Sequence, residues 1–242
     1  SFRKEYIYMK NIVTYMWITL FSLCFVYAGF SPEKKPVEVY SKETAPKNTT
    51  VVKKGVITLD AGHGGYDGGS LSRKNLKEAD IALSLTMKTG EILKKNNYEV
   101  VYTRTSDDVA WENDNRQDLL SRVQIAKDAN ADCFISLHLN YGAYYNDGAR
   151  GFEIYIKDKE ELTTNMAKTL ETNLQELNFT QNRGIKTTQE NPLLVIDENN
   201  IPAMLVEIGF ISDDKDVAYI TSEKGQDAIA NALAQSIMKH PL

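Results

Sequence analysis

Apolar and polar positions follow two periods along this chain, and the changeovers between them mark its elements. Val56-Ile57-Thr58-Leu59 is a short β-rich run that ends at Asp60 and a glycine-rich stretch. Beyond it Ile81, Leu85, Ile92 and Leu93 recur at helical spacing, which predicts a helix over 78–95. Short apolar runs predict further strands over 99–103, 133–138, 152–156, 193–196 and 203–207, and helical periods predict helices over 116–129, 160–177 and 224–239. Continuous apolar strands alternating with helices imply a sheet covered on both faces, hence an α/β layer with a mostly parallel sheet in one catalytic domain over 55–242.

The chain ahead of that domain has a different texture. From Ile12 to Phe30 no charged residue occurs, while Arg3, Lys4 and Lys10 precede the stretch. Residues 1–30 therefore read as an export segment. At 19 residues, positions 12 to 30 just reach spanning length, which favours an uncleaved membrane anchor over a cleaved signal, although Val26-Tyr27-Ala28 offers a cleavage site. The basic flank places the rest of the chain outside the cytoplasmic membrane, anchored to it or secreted to the cell wall. Residues 31–54, with Pro32, Pro36 and Pro46 among many Lys, Glu and Thr, have linker composition.

Composition narrows the partners. With 42% hydrophobic and 25% charged residues the chain can bury a sizeable core. The net charge of -5, with basic residues gathered before the apolar stretch, leaves the domain acidic and excludes nucleic acid, whose phosphates need clustered positive charge. Cys24 and Cys133 lie in unrelated contexts, so no disulfide is expected.

In open α/β sheets ligands bind beyond the carboxyl ends of strands, and the informative polar residues fall there. Asp60 and His63 follow the first predicted strand, Arg104 the second; His138 closes the third and Glu207 the last. The chain has only three histidines, and His240, two residues from the end, receives no role. His63 stands among Gly62, Gly64 and Gly65, where the backbone can turn tightly around an ion; read alone, it could equally be a surface-loop histidine. His138 ends an apolar strand, as a ligand or as a satisfied core histidine. Two imidazoles and one carboxylate make a common catalytic zinc set, and Glu78, which opens the predicted helix, is the candidate third ligand, with Asp80 as the alternative. A glutamate at a helix start also serves the helix dipole. Glu207 lies within Ala203-Met204-Leu205-Val206-Glu207-Ile208-Gly209-Phe210-Ile211, where burial would raise its pKa toward that of a general base; the competing reading is an ion pair with Arg104 or Arg122.

Asp60-Ala61-Gly62-His63-Gly64-Gly65, Glu78, Thr103-Arg104, Ser136-Leu137-His138-Leu139-Asn140 and Leu205-Val206-Glu207-Ile208-Gly209-Phe210-Ile211-Ser212 together resemble the N-acetylmuramoyl-L-alanine amidases of the AmiC/CwlV-like type. The resemblance runs in order from about Val56 to Lys239. It implies a single twisted, mostly parallel sheet of about six strands flanked by helices, one zinc ion on His63, Glu78 and His138, and Glu207 as the catalytic carboxylate. Ala61 departs from the usual proline and Ala79 from a common lysine. Only Lys157 to Lys159 separate the 152–156 strand from the next helix, so the inserted inhibitory helix of some members is not expected.

The implied reaction cleaves peptidoglycan at the amide between the lactyl group of N-acetylmuramic acid and L-alanine, through zinc-activated water with Glu207 as base. Asn140, Arg104 and Arg183 are candidate substrate contacts, against structural roles as a loop cap and in salt bridges. The rival readings are a zinc peptidase acting on the stem peptide and a catalytically silent wall-binding module. Compact anchored amidases of this type resemble those of sporulation and of vegetative wall turnover. With no wall-binding repeat present, targeting falls to the anchor, the cleft or a partner protein that activates or directs the enzyme.

Overall fold

Strand side chains alternate between the two faces of a sheet, and this sequence uses the alternation to separate packing from chemistry. The computed structural model describes residues 53–242 apart from 110, 112, 113 and 190; the expected anchor over 1–30 and nearly all of the linker lie outside the described residues. Strands β1 (Val56–Ala61), β2 (Glu99–Tyr102), β3 (Cys133–Asn140), β4 (Phe152–Ile156), β5 (Asn182–Thr187) and β6 (Ala203–Phe210) form one sheet in the order β2-β1-β3-β6-β4-β5. Every pairing is parallel except β4 against β6. Helices α1 (Glu78–Lys95), α2 (Asn115–Asp128), α3 (Glu161–Glu176), α4 (Leu194–Asp197), α5 (Asp214–Ile220) and α6 (Glu223–Met238) flank it. The α/β class with a single, mostly parallel six-stranded sheet is as the sequence implies.

One face is the main core. Ile57, Leu59, Ile135, Leu137, Ile154 and Val206 point to it and pack with Leu85 of α1, Leu170 of α3 and Leu233 of α6, all fully buried. Each such side chain contributes roughly 1.5–3 kcal/mol by leaving water. The other face is covered more thinly, by Ala126 of α2 and Val195 and Ile196 of α4 against Phe134, Ala203 and Leu205. The same parity brings Asp60, Ser136, His138, Asn140, Glu153 and Glu207 to this second face, toward the carboxyl ends of β1, β3 and β6.

The residues 193–196, expected as a strand, form the helical turn α4 instead. Asp197 draws the chain round, accepting from the Leu193 amide at 2.7 Å and the Thr188 hydroxyl at 2.5 Å, and an apolar run this short carries no period of its own. The strand on that edge is β5, Asn182-Arg183-Gly184-Ile185-Lys186-Thr187, half exposed and lacking the apolar run that announces a strand. β3 and β6 continue to Asn140 and Phe210, so His138 and Glu207 stand within strands rather than closing them. Among the described residues no helix is long and apolar enough to cross a membrane.

Candidate active site

The glycine-rich turn after β1 is fixed from below by two buried arginines. Arg104 donates to the carbonyls of Ala61 and Gly62, each at 3.0 Å, and to that of Ala79 at 2.8 Å, tying the turn to the start of α1. Arg122 donates to the Ala61 carbonyl at 2.8 Å and the His63 carbonyl at 2.7 Å, and its guanidinium pairs with Asp60 at 2.8 Å and Asp118 at 2.6 Å. Asp60 also accepts from the hydroxyls of Thr103 and Ser136. Burial pushes the Asp60 carboxyl upward, but Arg122 and the two hydroxyls outweigh it and hold it below the usual carboxylate range.

Above this knot the turn delivers His63, in the left-handed region at φ 59°, to α1 and β3. His63 Nε2 lies 3.0 Å from Glu78 Oε1, and His138 Nδ1 lies 3.2 Å from the same oxygen. The three residues each offer one ligand atom, all within 4.8 Å of one another, close enough for one divalent cation with ligands about 2 Å away. Asp80, the alternative carboxylate, points outward and is exposed. Two glycines leave the space the cluster needs. A Cβ on Gly62 would sit 2.3 Å from the His138 ring, and one on Gly69 would meet His63 at 2.8 Å and Glu78 at 2.9 Å.

Glu78 is 2% exposed and anchored by the Leu139 amide on Oε1 and the Ser70 amide on Oε2, both at 3.0 Å. Burial raises its carboxyl, yet the hydrogen bonds and charges of His138 and His63 prevail and hold it well below the carboxylate range. For His63 burial acts downward, and Glu78 and Asp67 overcome it, lifting the imidazole to about 9. Asp67 is a residue the sequence reading passed over: its Oδ2 stands 2.6 Å from His63 Nδ1 and fixes the ring with Nε2 toward the cluster. An acid four residues after a histidine in a glycine-rich loop is the signal that could have found it.

Glu207 pairs in register with His138 on one side and Glu153 on the other, so the three side chains share one level of the sheet face. Although the residue keeps some surface in contact with solvent, its Oε2 is buried and has no hydrogen-bond partner among the described residues. Burial, first, and then the neighbouring Glu78 and Glu153 carboxylates push its pKa up to about 7, against the opposing pull of His138 and His63. The alternative of an ion pair with Arg104 or Arg122 is not realised, since both guanidiniums are engaged beneath the turn.

Of the candidate substrate contacts, Arg104 is 4% exposed, with its donors directed at backbone carbonyls, so it braces the site from beneath instead of facing a substrate. Asn140 and Arg183 converge on Glu153, whose carboxylate accepts from Asn140 Nδ2 at 2.6 Å, Tyr155 Oη and Arg183 Nε at 2.9 Å, and Lys186 Nζ at 2.5 Å. Glu153 was not foreseen, though a glutamate between Phe152 and Ile154 carries the same signal as Glu207, a charge inside an apolar strand. A hollow of about 190 Å³ opens beside the cluster, lined by His63, Asp67, Asn115, Leu119 and His138 among others.

Fold and site define an α/β protein that gathers, at the carboxyl ends of its central strands, two imidazoles, a buried carboxylate between them and a second carboxylate on the neighbouring strand. The chain belongs to the N-acetylmuramoyl-L-alanine amidase family Amidase_3, which matches residues 57–239. It is 28% identical over 192 residues to the germination-specific N-acetylmuramoyl-L-alanine amidase of Bacillus subtilis, covering 76% of this chain and 79% of that protein. It is 31% identical over 183 residues to the uncharacterized protein YqiI of the same organism, covering 75% and 82%. Among solved structures it superposes on the CwlD amidase of Clostridioides difficile, determined in complex with the GerS lipoprotein, with TM-score 0.69, 30% identity, and coverage of 76% of this chain and 97% of that one. AmiC2 of Nostoc punctiforme gives TM-score 0.67 at 28% identity, covering 77% and 96%.

Proposed function

We propose that this chain is a zinc-dependent N-acetylmuramoyl-L-alanine amidase, with zinc on His63, Glu78 and His138 and Glu207 as general base. The observation that carries the reading is the unpartnered buried Oε2 of Glu207 beside a cluster of two nitrogens and one oxygen suited to zinc. A zinc ion held there supplies a Lewis acid for the scissile carbonyl and makes water a nucleophile near neutrality. The chain's own part is positional and acid–base. Asp67 keeps His63 in one tautomer, and the Leu139 and Ser70 amides keep Glu78 from turning away. Glu207 takes a proton from the attacking water as its oxygen bonds to the lactyl carbonyl carbon, then returns it to the L-alanine nitrogen as the C–N bond breaks. Asn140 and Arg183, held on Glu153 at the same rim, are placed to contact the muropeptide.

The reading puts the reaction outside the cytoplasmic membrane, on peptidoglycan. The named function of the Bacillus subtilis relative and the lipoprotein bound to the Clostridioides difficile neighbour support a wall substrate and a protein partner. Digestion of purified peptidoglycan followed by mass spectrometry tests it. The expected product is stem peptide with a free L-alanine amino terminus, absent with Glu207→Gln although that variant still binds one zinc per chain. New termini further along the peptide would instead identify a zinc peptidase, and full turnover by Glu207→Gln would remove Glu207 from the mechanism.

A further inference from the structure

Among the described residues the large apolar side chains left exposed are Tyr66, Leu71, Leu76, Tyr141, Tyr144 and Tyr145. All six belong to the two loops that leave the metal cluster, one joining His63 to Glu78 and the other following β3 beyond His138. Scattered exposed apolar residues need no explanation, but a set confined to one rim marks a contact surface.

The second loop carries three of these tyrosines in a fixed arrangement. Tyr141 and Tyr145 meet edge to face with ring centroids 5.6 Å apart, and the Tyr145 hydroxyl donates to the Leu71 carbonyl at 3.1 Å, joining the two loops. Asp147 accepts from the amides of Ala143 at 2.6 Å and Ala149 at 2.8 Å, holding the loop closed on itself. Gly142 allows that closure, since a Cβ there would lie 2.5 Å from the Asp147 carboxylate. Asp214 receives Arg73 from the first loop at 2.6 Å and Asn146 from the second at 3.1 Å. Arg73 is thus paired while Lys74 and Lys77 of the first loop are exposed, and the second loop faces outward with its aromatic rings, Tyr144 the most open at 66% exposed.

We propose that Tyr141, Tyr144 and Tyr145 form a stacking platform for the glycan strand of peptidoglycan, seating its sugar rings next to the amide to be cut. The proposal builds on the amidase reading. A pyranose ring presents an apolar C–H face while its hydroxyls stay in water, and a tyrosine ring matches it, with an electron-rich face, a solvated hydroxyl and only two side-chain torsions to fix. A loop braced by backbone hydrogen bonds loses little further freedom on binding. Tyrosine faces suit the uncharged sugar rings of the strand, whose lactyl carboxyls are tied up as amides to the stem peptides in the intact wall. The platform adjoins the cluster directly, as Tyr141 follows Asn140 on the strand that carries His138.

The test is equilibrium binding of the full-length protein to oligosaccharides of N-acetylglucosamine, whose rings carry no lactyl carboxylate, measured beside amide cleavage of intact peptidoglycan. Each of Tyr141→Ala and Tyr144→Ala should weaken oligosaccharide binding by about fivefold, the scale of one aromatic contact, and Tyr144→Phe should retain it. Among the described residues Tyr144 makes no side-chain hydrogen bond that its loss could disrupt, so the second variant reports on stacking rather than folding. Oligosaccharide binding indifferent to both alanines would overturn the platform, wherever else those variants lose affinity. Cleavage at the lactyl amide by a wild-type protein with such tyrosine-blind binding would leave the amidase reading standing; tyrosine-dependent binding with no such cleavage would do the reverse.

Discussion

Asp60 and Glu207 are two carboxylates on the same face of the same sheet, and the fold treats them in opposite ways. Asp60 is 1% exposed and fully answered, by the Arg122 guanidinium and the Thr103 and Ser136 hydroxyls, and its pKa is held down. Glu207 has a buried oxygen that nothing answers, and its pKa is pushed up to about 7. Burying a polar group costs free energy unless it is hydrogen-bonded. The satisfied region therefore holds the turn in shape, while the unsatisfied one leaves a carboxylate free for the base role proposed for it. A buried charge is by itself ambiguous; its list of partners tells scaffold from chemistry.

The contrast breaks most sharply at Arg122. Arg122→Met removes the cation from Asp60 and Asp118 and two donors from the turn, leaving buried charge uncompensated at a cost of roughly 3–5 kcal/mol. Chemical denaturation should show that loss, and Arg122→Lys should recover little of it, because one ammonium cannot reach four acceptors at once. A variant that unfolds like the wild type would show that the knot is not what holds the turn.

Glu207→Gln should behave the other way round. Removing a general base lowers the rate by about 10³-fold, while the fold loses nothing. The raised pKa has a defined sign here. Glu207 is favoured protonated in the folded chain, so the stability it lends is present below its ordinary value of 4.5 and is lost as pH rises to about 7. In protein stripped of metal by chelation, Glu207→Gln should match the wild type in melting temperature at pH 4 and exceed it at pH 8. A variant less stable than wild type at pH 8 would make Glu207 a scaffold residue like Asp60.

Much of this face was legible before any coordinates. The apolar run Cys133-Phe134-Ile135-Ser136-Leu137-His138 reads as a strand, and strand geometry sends Ser136 and His138 to the side opposite Ile135 and Leu137. The same parity in β6 separates Glu207 from Val206 and Ile208, and the glycines around His63 announce a close approach. What stayed hidden depends on side-chain hydrogen bonds, some local and some between distant segments, that no apolar pattern announces. Nothing local distinguishes Arg104, which braces the turn, from Arg183, which faces the rim. The β5 edge escaped notice because an exposed strand needs no apolar alternation, and 193–196 was misread because α4 is set by the Asp197 side chain rather than by the apolar residues themselves. Asp67 differs, since its spacing four residues after His63 is readable in the sequence and the turn only shows the contact made.

A smaller effect sharpens the distinction within the site. Asp67 is hydrogen-bonded to His63 Nδ1 at 2.6 Å, so Asp67→Asn, which keeps the shape and removes the charge, should weaken zinc affinity toward the lower end of about 10–100-fold. Competition with a chelating dye reads this directly. If zinc affinity is unmoved while activity falls, Asp67 acts in the reaction and not on the ligand.

The finest test of the proposed zinc site is the proton that a metal bound to His63 would have to displace. In chelated protein the His63 imidazole is lifted to about 9, because Glu78 and Asp67 together outweigh its burial, so near neutrality it carries a proton where a metal bond must form. Glu78, held below the carboxylate range, is already ionised and gives up none. Apparent zinc affinity should therefore climb about tenfold per pH unit from 7 and level off near 9. Calorimetry at pH 7.5 in two buffers of different ionisation enthalpy should show His63 releasing its proton on binding. Asp67→Asn removes one of the two interactions that raise His63, so its affinity should level off at lower pH. A flat affinity across this range would mean that His63 is neutral before zinc arrives, and that Asp67 orients the ring without charging it.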